Sequence, residues 1–378
     1  MKKKIAILGA RGIPGNYGGF ETFAEELAVR LVTRGYEVTV FCEKNTDMPT
    51  SYKGVNLKYV MAPSLGPLKT IIYDVVSMVK ARKEYDIVYM LGYGASFSCF
   101  IPRIYGNEVW INMDGIEWKR SKWNKLAKLW FMVMERIAIT TASKIVADAQ
   151  SILTHLEARY KSLPNSSVIA YGAPALREKP HEELLSEWGL AKEKYYILVG
   201  RLEPENHILE ILEGFKQSNT KMKLIVLGDH KAKNSYVEKL ITIKDERIHL
   251  IGTVFDSCKL EALRYYSIAY FHGHSVGGTN PSLLEALGCS NPVIAHDNVF
   301  NREVARDAAV YFENNESIPK LINEIENDVG KRERMGEKGL GIISNFYTWD
   351  IIVDKYVALM GDDENYVERN AEIKISKG

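Results

Sequence analysis

Residues 5–19 read IAILGARGIPGNYGG, a short apolar run followed by a glycine-rich segment. The apolar run is of the type found in a parallel strand that is buried on both faces. Apolar residues then recur at helical spacing from Phe20 to Leu31, Gly35 ends that pattern, and Tyr36–Cys42 is the next apolar run. This order predicts strand, glycine loop, helix and strand, which is how an α/β domain with a parallel sheet begins.

The same order restarts near residue 195, where YYILVG (195–200) is a strand that ends in glycine. Further strands are predicted at 87–91, 109–113 and 144–147 in the first half and at 224–227, 248–251, 268–271 and 292–295 in the second. The segment 171–180 carries Gly172, Pro174 and Pro180 and indicates a linker. We therefore predict two Rossmann-like, doubly wound domains, 1–172 and 173–345, that face an interdomain cleft. Residues 346–378 are predicted to form a helix that packs back on the first domain, followed by a polar tail.

Composition excludes several classes of protein. The 378 residues contain 49 Lys+Arg and 48 Asp+Glu, a formal net charge of +1, which excludes a strongly basic nucleic-acid binder. The four cysteines are scattered and form no C-x-x-C pair, so neither a disulfide framework nor a zinc knuckle is indicated. No apolar stretch approaches the length of a membrane span, and the apolar run after the basic start is too short for a signal peptide. A cytoplasmic enzyme is expected.

The first glycine loop, residues 9–19, suits a phosphate group. Glycines let the backbone approach a diphosphate, and the N-terminus of the following helix offers free N–H groups. The alternative is a long turn. A nicotinamide dinucleotide fits less well, because a G-x-G-x-x-G pattern needs glycine where Arg11 and Pro14 stand. Glu43, at the end of the second strand, occupies the place of a ribose-binding acid, but on its own the pattern favours an ordinary surface carboxylate.

Two segments of the second half carry candidate binding residues. Arg201 follows a strand, where its guanidinium can grip a diphosphate or simply lie on the surface. Residues 272–286 read HGHSVGGTNPSLLEA and run from a strand through a glycine-rich loop into a helix. Glu285 can accept the two hydroxyls of a ribose, or it can complete a capping box with Ser282. His272 and His274 lack a third metal ligand of matching context, which favours His274 as a substrate contact.

The order of these motifs resembles the retaining GT-B glycosyltransferases of family four, over nearly the whole chain. The resemblance is carried by Gly18-Gly19, Gly200-Arg201, the segment 281–286 and the segment 292–295. Residues 11–22 and 272–282 are similar to a bacterial subgroup that includes β-1,4-rhamnosyltransferases of surface-polysaccharide assembly.

The resemblance implies a metal-independent enzyme without a cofactor, which takes a dTDP- or UDP-linked sugar as its donor substrate. It implies transfer of L-rhamnose from dTDP-rhamnose, with retention, to a lipid-linked or glycan acceptor. Glu285 would bind the ribose, and the diphosphate would lie against Arg201 and nearby backbone amides. The residues expected at the donor are Gly18, Gly19, Arg201, Asn206, His274, Thr279, Asn280 and Glu285.

Two positions depart from the family pattern. Asn206 stands where the family usually has a lysine, and Gly277 stands where it has a glutamate eight residues before Glu285. The lost glutamate suggests a different sugar pocket, which is compatible with a 6-deoxy sugar such as rhamnose. Two alternatives therefore stay open, a GT-B nucleotide-sugar 2-epimerase and a non-catalytic nucleotide-sugar-binding protein.

Polar residues also follow two predicted strands of the first domain. Asp114 is the first candidate for a carboxylate near the anomeric carbon or the acceptor hydroxyl, and the alternative is a turn aspartate before Gly115. Asp148 is the second candidate, and the alternative for it is a helix N-cap. With Arg201 they form the predicted catalytic set. The residues expected at the acceptor are Tyr17, Asn112 and Glu117.

The segment Trp118–Met134 is basic and rich in tryptophan. It contains five Lys or Arg residues, three Trp residues and no acid. Its apolar face, which includes Leu126, Trp130 and Val133, either packs into the core or contacts an anionic membrane that holds a lipid-linked acceptor. The second interpretation places the enzyme as a peripheral protein on the inner face of the cell membrane.

Overall fold

The computed structural model describes residues 2–15, 18–44, 49–63, 65–66, 68–232 and 234–361, which build two sheets flanked by helices. The first domain has an eight-stranded sheet in the order β3-β4-β2-β1-β5-β6-β7-β8. Its strands are β1 (Lys4–Leu8), β2 (Glu37–Glu43), β3 (Ser51–Tyr52), β4 (Val55–Val60), β5 (Ile87–Leu91), β6 (Glu108–Met113), β7 (Lys144–Ala147) and β8 (Asn165–Val168). Its helices are α1 (Gly19–Thr33), α2 (Leu68–Ala81), α3 (Phe100–Ile104), α4 (Lys125–Thr141) and α5 (Gln150–Arg159).

The second domain has a six-stranded parallel sheet in the order β11-β10-β9-β12-β13-β14. Its strands are β9 (Tyr195–Val199), β10 (Lys223–Leu227), β11 (Ile248–Gly252), β12 (Ala269–His272), β13 (Val293–His296) and β14 (Ala309–Phe312). The helices that follow are α6 (Ile208–Gln217), α7 (Ser235–Thr242), α8 (Ser257–Tyr265), α9 (Pro281–Gly288), α10 (Val299–Ala305), α11 (Ile318–Asn327), α12 (Val329–Ile342) and α13 (Trp349–Leu359).

The predicted α/β architecture of two doubly wound domains is confirmed. The strands expected at 87–91 and 144–147 are β5 and β7 with those bounds. The strands that the pattern misses include β8 and the antiparallel pair of β3 with β4. β8 reads NSSV and has no apolar run, because it lies at the edge of the sheet and pairs only with β7.

The helix α13 belongs to the core of the first domain. Its Trp349 and Tyr356 rings lie 6.1 and 6.0 Å from the ring of Phe23 in α1. The hydroxyl of Tyr356 is 2.8 Å from that of Tyr89 on β5. The chain therefore returns from the second domain and closes one face of the first sheet. The polar tail predicted at the C-terminus lies outside the described residues from 362 onward.

The opposite face of the first sheet carries α2, α3 and α4, and the structure corrects one expectation there. Leu126, Trp130 and Val133 do not pack into the core, because their exposed fractions are 77%, 38% and 45%. The buried face of α4 consists of residues further along the helix, namely Met134, Glu135, Ala138 and Ile139. No helix within the described ranges is both long enough and apolar enough to span a bilayer.

Candidate active site

The two domains meet where the carboxyl ends of their strands face each other, as expected for ligand sites in open α/β sheets. The backbone N–H of Gly278, in the loop after β12, lies 3.4 Å from the carbonyl oxygen of Asp114, which follows β6. The hydroxyl of Thr279 donates to the carbonyl oxygen of Asp148, which follows β7, at 2.5 Å. The loop of residues 277–279 therefore packs on the first domain, against the backbone of both candidate aspartates.

Glycine is required on both sides of this contact. A Cβ at Gly115 would lie 3.0 Å from the Cα of Gly277, and a Cβ at Gly278 would lie 1.7 Å from Oδ1 of Asp148. Gly115 and Gly277 also have φ values of +157° and +137°, a region that favours glycine. Gly277 thus allows two backbones to approach closely.

The two carboxylates at this contact are both disposed to hold a proton. Desolvation of the half-buried side chain, together with the nearby Glu117 charge, raises the pKa of Asp114 to about 6. Burial is the main cause that raises the pKa of Asp148 well above its usual value, and the nearby negative charge of Asp114 is the second. Asp148 does not cap a helix: Ala149 is the N-cap residue of α5, and Oδ1 of Asp148 is buried without a hydrogen-bond partner. Asp114 is the group whose protonation changes near neutral pH.

His274 and Asn206 form a chain of hydrogen bonds beside the carboxylates. The side-chain amide of Asn206 donates to the carbonyl oxygen of Arg201 at 2.6 Å, and its Oδ1 lies 2.7 Å from Nδ1 of His274. Since that oxygen can only accept, Nδ1 of His274 carries the hydrogen and Nε2 keeps a free electron pair. Burial lowers the pKa of His274 well below its usual value, so the ring is neutral. A Cβ at Gly277 would lie 2.8 Å from this Nε2, which places the imidazole next to the position of the missing glutamate.

Two arginines bring positive charge to the site. Arg201 is exposed, and its Nη1 lies 3.6 Å from Glu203. Arg120 is buried, and its Nε lies 2.6 Å from Oε1 of Glu117. Glu117 also accepts a hydrogen bond from the indole of Trp123 at 3.1 Å. Arg120 is not predictable from the sequence as a site residue, because its position within a lysine-rich segment indicates a surface residue.

Glu285 has a partner that the sequence did not indicate. Its Oε2 lies 2.5 Å from Nη2 of Arg264 in α8, and Arg264 is almost fully buried. The capping-box interpretation is wrong, because Asn280 is the N-cap of α9 and accepts a hydrogen bond from the N–H of Ser282. Arg264 therefore fixes one oxygen of Glu285 and leaves the other available to a ligand.

The remaining predicted residues fall into three groups. Gly18, with a φ of +106°, and Gly19 form the start of α1, and a Cβ at Gly19 would lie 3.9 Å from Pro281 of α9. Asn112 is 1% exposed and donates to the hydroxyl of Tyr89 at 3.2 Å. This burial corrects the expected contact of Asn112 with an acceptor. The residue instead packs behind the site, against Tyr89. Tyr17 lies outside the described residues.

Within the described part of the chain, His207, Glu210 and His296 are grouped closely enough to be considered as metal ligands. The two imidazole rings are stacked, with centroids 3.9 Å apart and planes inclined by 22°. Ring nitrogens bind a metal in the plane of the ring, so two stacked rings do not direct their electron pairs at one ion. His207 instead lies between Oε2 of Glu210 at 2.7 Å and the hydroxyl of Ser275 at 2.9 Å.

Two family models match the chain. Residues 181–340 match "Glycosyl transferases group 1", and residues 2–174 match a domain of unknown function, DUF1972. No curated protein matches the chain.

Several solved structures share the fold at low sequence identity. Sucrose-phosphate synthase from Thermosynechococcus elongatus superposes with a TM-score of 0.81 and 16% identity, over 95% of this chain and 98% of that one. The Anabaena protein HepE in complex with UDP and glucose superposes with a TM-score of 0.76 and 16% identity, over 96% of this chain and 100% of that one. WaaG, a glycosyltransferase involved in lipopolysaccharide biosynthesis, superposes with a TM-score of 0.71 and 14% identity, over 95% of this chain and 100% of that one.

Proposed function

We propose that the chain, whose residues 181–340 match "Glycosyl transferases group 1" and whose GT-B fold is shared with sucrose-phosphate synthase, is a retaining rhamnosyltransferase. In this proposal it transfers L-rhamnose from dTDP-rhamnose to a lipid-linked or glycan acceptor during cell-surface polysaccharide synthesis. The observation that carries the proposal is the contact of the 277–279 loop with the backbone carbonyls of Asp114 and Asp148. It brings two carboxyl groups and a neutral histidine together at the strand ends, where ligands of open α/β sheets bind. The HepE complexes with UDP and UDP-glucose support a nucleotide sugar as the ligand.

The donor would lie mainly on the second domain. Glu285, with one oxygen fixed by Arg264, would accept the ribose hydroxyls through its other oxygen. The exposed guanidinium of Arg201 would pair with the diphosphate, together with backbone N–H groups near Thr279 and at the start of α1. The neutral His274 would offer Nε2 as an acceptor to a sugar hydroxyl. The absence of a glutamate at position 277 is compatible with a 6-deoxy sugar such as rhamnose.

The reaction breaks the bond between the anomeric carbon and the diphosphate oxygen and forms a bond to the acceptor oxygen. Positive charge develops on the sugar and negative charge on the departing diphosphate, which Arg201 would stabilise. In the retaining course the acceptor attacks from the face of the leaving group, and its proton passes to the departing phosphate oxygen. The Asp114 carboxylate would stabilise the cationic sugar or orient the acceptor hydroxyl, without a metal ion.

A donor screen tests the proposal. The protein is incubated in EDTA with a synthetic lipid-diphosphate-GlcNAc acceptor and with dTDP-rhamnose, UDP-sugars or GDP-sugars, and the acceptor mass is recorded. A gain of one deoxyhexose from dTDP-rhamnose, lost in Asp114→Asn and kept in the exposed control Asp307→Asn, is the expected result. The configuration of the new linkage then tests retention.

The same screen distinguishes the two alternatives. Epimerisation of the donor without any gain in acceptor mass would replace the transferase with a nucleotide-sugar 2-epimerase. Donor binding without turnover would indicate a non-catalytic binding protein, which the loss of lysine at Asn206 favours. The proposal also places the protein in the cytoplasm, peripheral on the inner face of the membrane.

A further inference from the structure

Exposed apolar side chains are concentrated on one face of the first domain. On α4 they are Leu126, Leu129, Trp130 and Val133, and on or next to α3 they are Phe100, Ile104 and Tyr105. Ile104 and Leu126 are the most exposed of them, at 74% and 77%. We call these seven residues the α3–α4 surface.

The two helices lie on the same face of the sheet. α3 connects β5 to β6 and α4 connects β6 to β7, and successive right-handed crossovers between neighbouring parallel strands place their helices side by side. Both helices pack against the short helical turn at 96–99, where Phe97 contacts Trp130 edge to face at 6.1 Å. The seven side chains thus form one surface across two neighbouring helices.

The charge around this surface has one sign. Lys125, Lys128 and Arg136 of α4 have no carboxylate partner among the described residues. The only acid of α4, Glu135, is 1% exposed and pairs with Arg159. An apolar surface bordered by unpaired cations of α4 complements a surface with an apolar interior and anionic headgroups.

We propose that the α3–α4 surface docks the protein on an anionic phospholipid bilayer. The inference deepens the proposed function and rests on it for the lipid-linked nature of the acceptor. Trp118 and Trp123, which the sequence suggests as membrane contacts, are not part of the surface, because both side chains are partly buried. Their indole nitrogens donate to Glu135 and Glu117. The contact is made instead by the leucines of α4 and by the short α3.

The surface begins close to the interdomain contact. Ser121 donates to Oε2 of Glu205 in the second domain at 3.0 Å, and the surface starts five residues later at Leu126. A docked protein therefore holds the rim of its cleft near the headgroups, where the diphosphate and first sugars of a lipid-linked acceptor lie.

Co-sedimentation of the full chain with vesicles tests the proposal. Phosphatidylcholine vesicles are compared with vesicles that also contain phosphatidylglycerol. The variants are Leu126→Gln/Leu129→Gln, which keeps helix propensity, and Lys125→Glu/Lys128→Glu. The matched control is Ile241→Gln, an exposed apolar residue of α7 in the second domain.

The wild type and the control are expected to bind the anionic vesicles. The leucine variant should lose at least about tenfold in partitioning, because two large side chains no longer enter the bilayer. The lysine variant should lose at least about fivefold per charge, and this loss should disappear on neutral vesicles. Circular dichroism and thermal unfolding confirm that each variant is folded.

Equal binding by the wild type and both variants, or no binding by the wild type, would overturn the proposal. So would a wild-type dimer in light scattering that the leucine variant converts to a monomer without vesicle binding, since the surface would then cover a second copy. Failure of the proposed function is distinguishable: a protein that binds vesicles but transfers no sugar keeps this inference and loses the other. A protein that glycosylates a water-soluble acceptor but does not bind vesicles keeps the proposed function and loses this inference.

Discussion

Gly278 lies so close to Asp148 that a single added carbon would occupy the place of the carboxylate, at 1.7 Å from Oδ1. The two residues belong to different domains, so this contact sets how closely the domains approach. Oδ1 of Asp148 is buried there without a partner, and burial raises the pKa of this carboxyl well above its usual value. The close approach of the domains at this point therefore depends on one glycine.

Gly278→Ala is expected to separate the domains at the site while leaving each domain folded. Overpacking of this kind costs about 1–3 kcal/mol, which predicts a loss of roughly ten- to hundredfold in kcat/KM. Small-angle scattering should show a larger radius of gyration. Gly341→Ala is the control, because a Cβ at that helical position meets nothing within 4 Å. Unchanged activity in Gly278→Ala would mean that the contact is not needed in the reaction.

Asp114→Asn is expected to remove a step in the pH profile. If the ionised carboxylate acts in the reaction, activity of the wild type rises as pH increases through about 6, the raised pKa of Asp114. The variant should lose roughly 10²–10⁴-fold in kcat and lack that limb. A variant with the same pH limb as the wild type would assign the limb to another group.

The same carboxyl predicts a stability effect of defined sign. The folded state holds the proton of Asp114 up to about pH 6, whereas the unfolded chain releases it near its usual pKa of 3.8. Between these values the folded state binds more protons, so the free energy of unfolding falls as pH rises. Urea unfolding at pH 4 and pH 7 should show this fall in the wild type and a smaller one in Asp114→Asn.

Glu285→Ala is expected to impair both donor binding and stability. Donor binding loses the proposed ribose contact, and stability falls because the buried guanidinium of Arg264 is left without its carboxylate partner. Breaking a buried pair costs several kcal/mol, and the partial exposure of Glu285 reduces this to about 2–3 kcal/mol. The double variant Arg264→Leu/Glu285→Ala should recover much of the stability but none of the donor affinity, measured by calorimetry with the nucleoside diphosphate. Recovery of affinity in the double variant would contradict the role of Glu285 at the ribose.

Removal of metal ions is expected to leave activity unchanged. Dialysis against EDTA should cost less than about twofold in rate, because the proposed charge stabilisation comes from Arg201 and backbone N–H groups. Elemental analysis of the purified protein shows directly whether His207, Glu210 and His296 hold a metal ion. A stoichiometric ion that is lost with activity on chelation would overturn this prediction.

The sequence could predict the two sheets because buried parallel strands are apolar throughout and their glycine turns are local features. β5 and β7 were predicted with their observed bounds for this reason. β8 was not predicted, because an edge strand needs no apolar run. The sequence also pointed to Asp114, Asp148 and Arg201, since residues that follow parallel strands lie at one edge of the sheet.

The partners of those residues could not be predicted, because each pair joins segments far apart in the chain. Arg264 and Glu285 meet only when α8 and α9 pack, and the seat of Gly278 on Asp148 exists only when the domains face each other. The two faces of α4 are decided in the same way: its pattern is amphipathic in either case, and only the position of the sheet shows that Leu126 points to solvent. Local periodicity thus determined the elements and the edge that carries the site, whereas packing decided the charges, the contacts and the exposed surface.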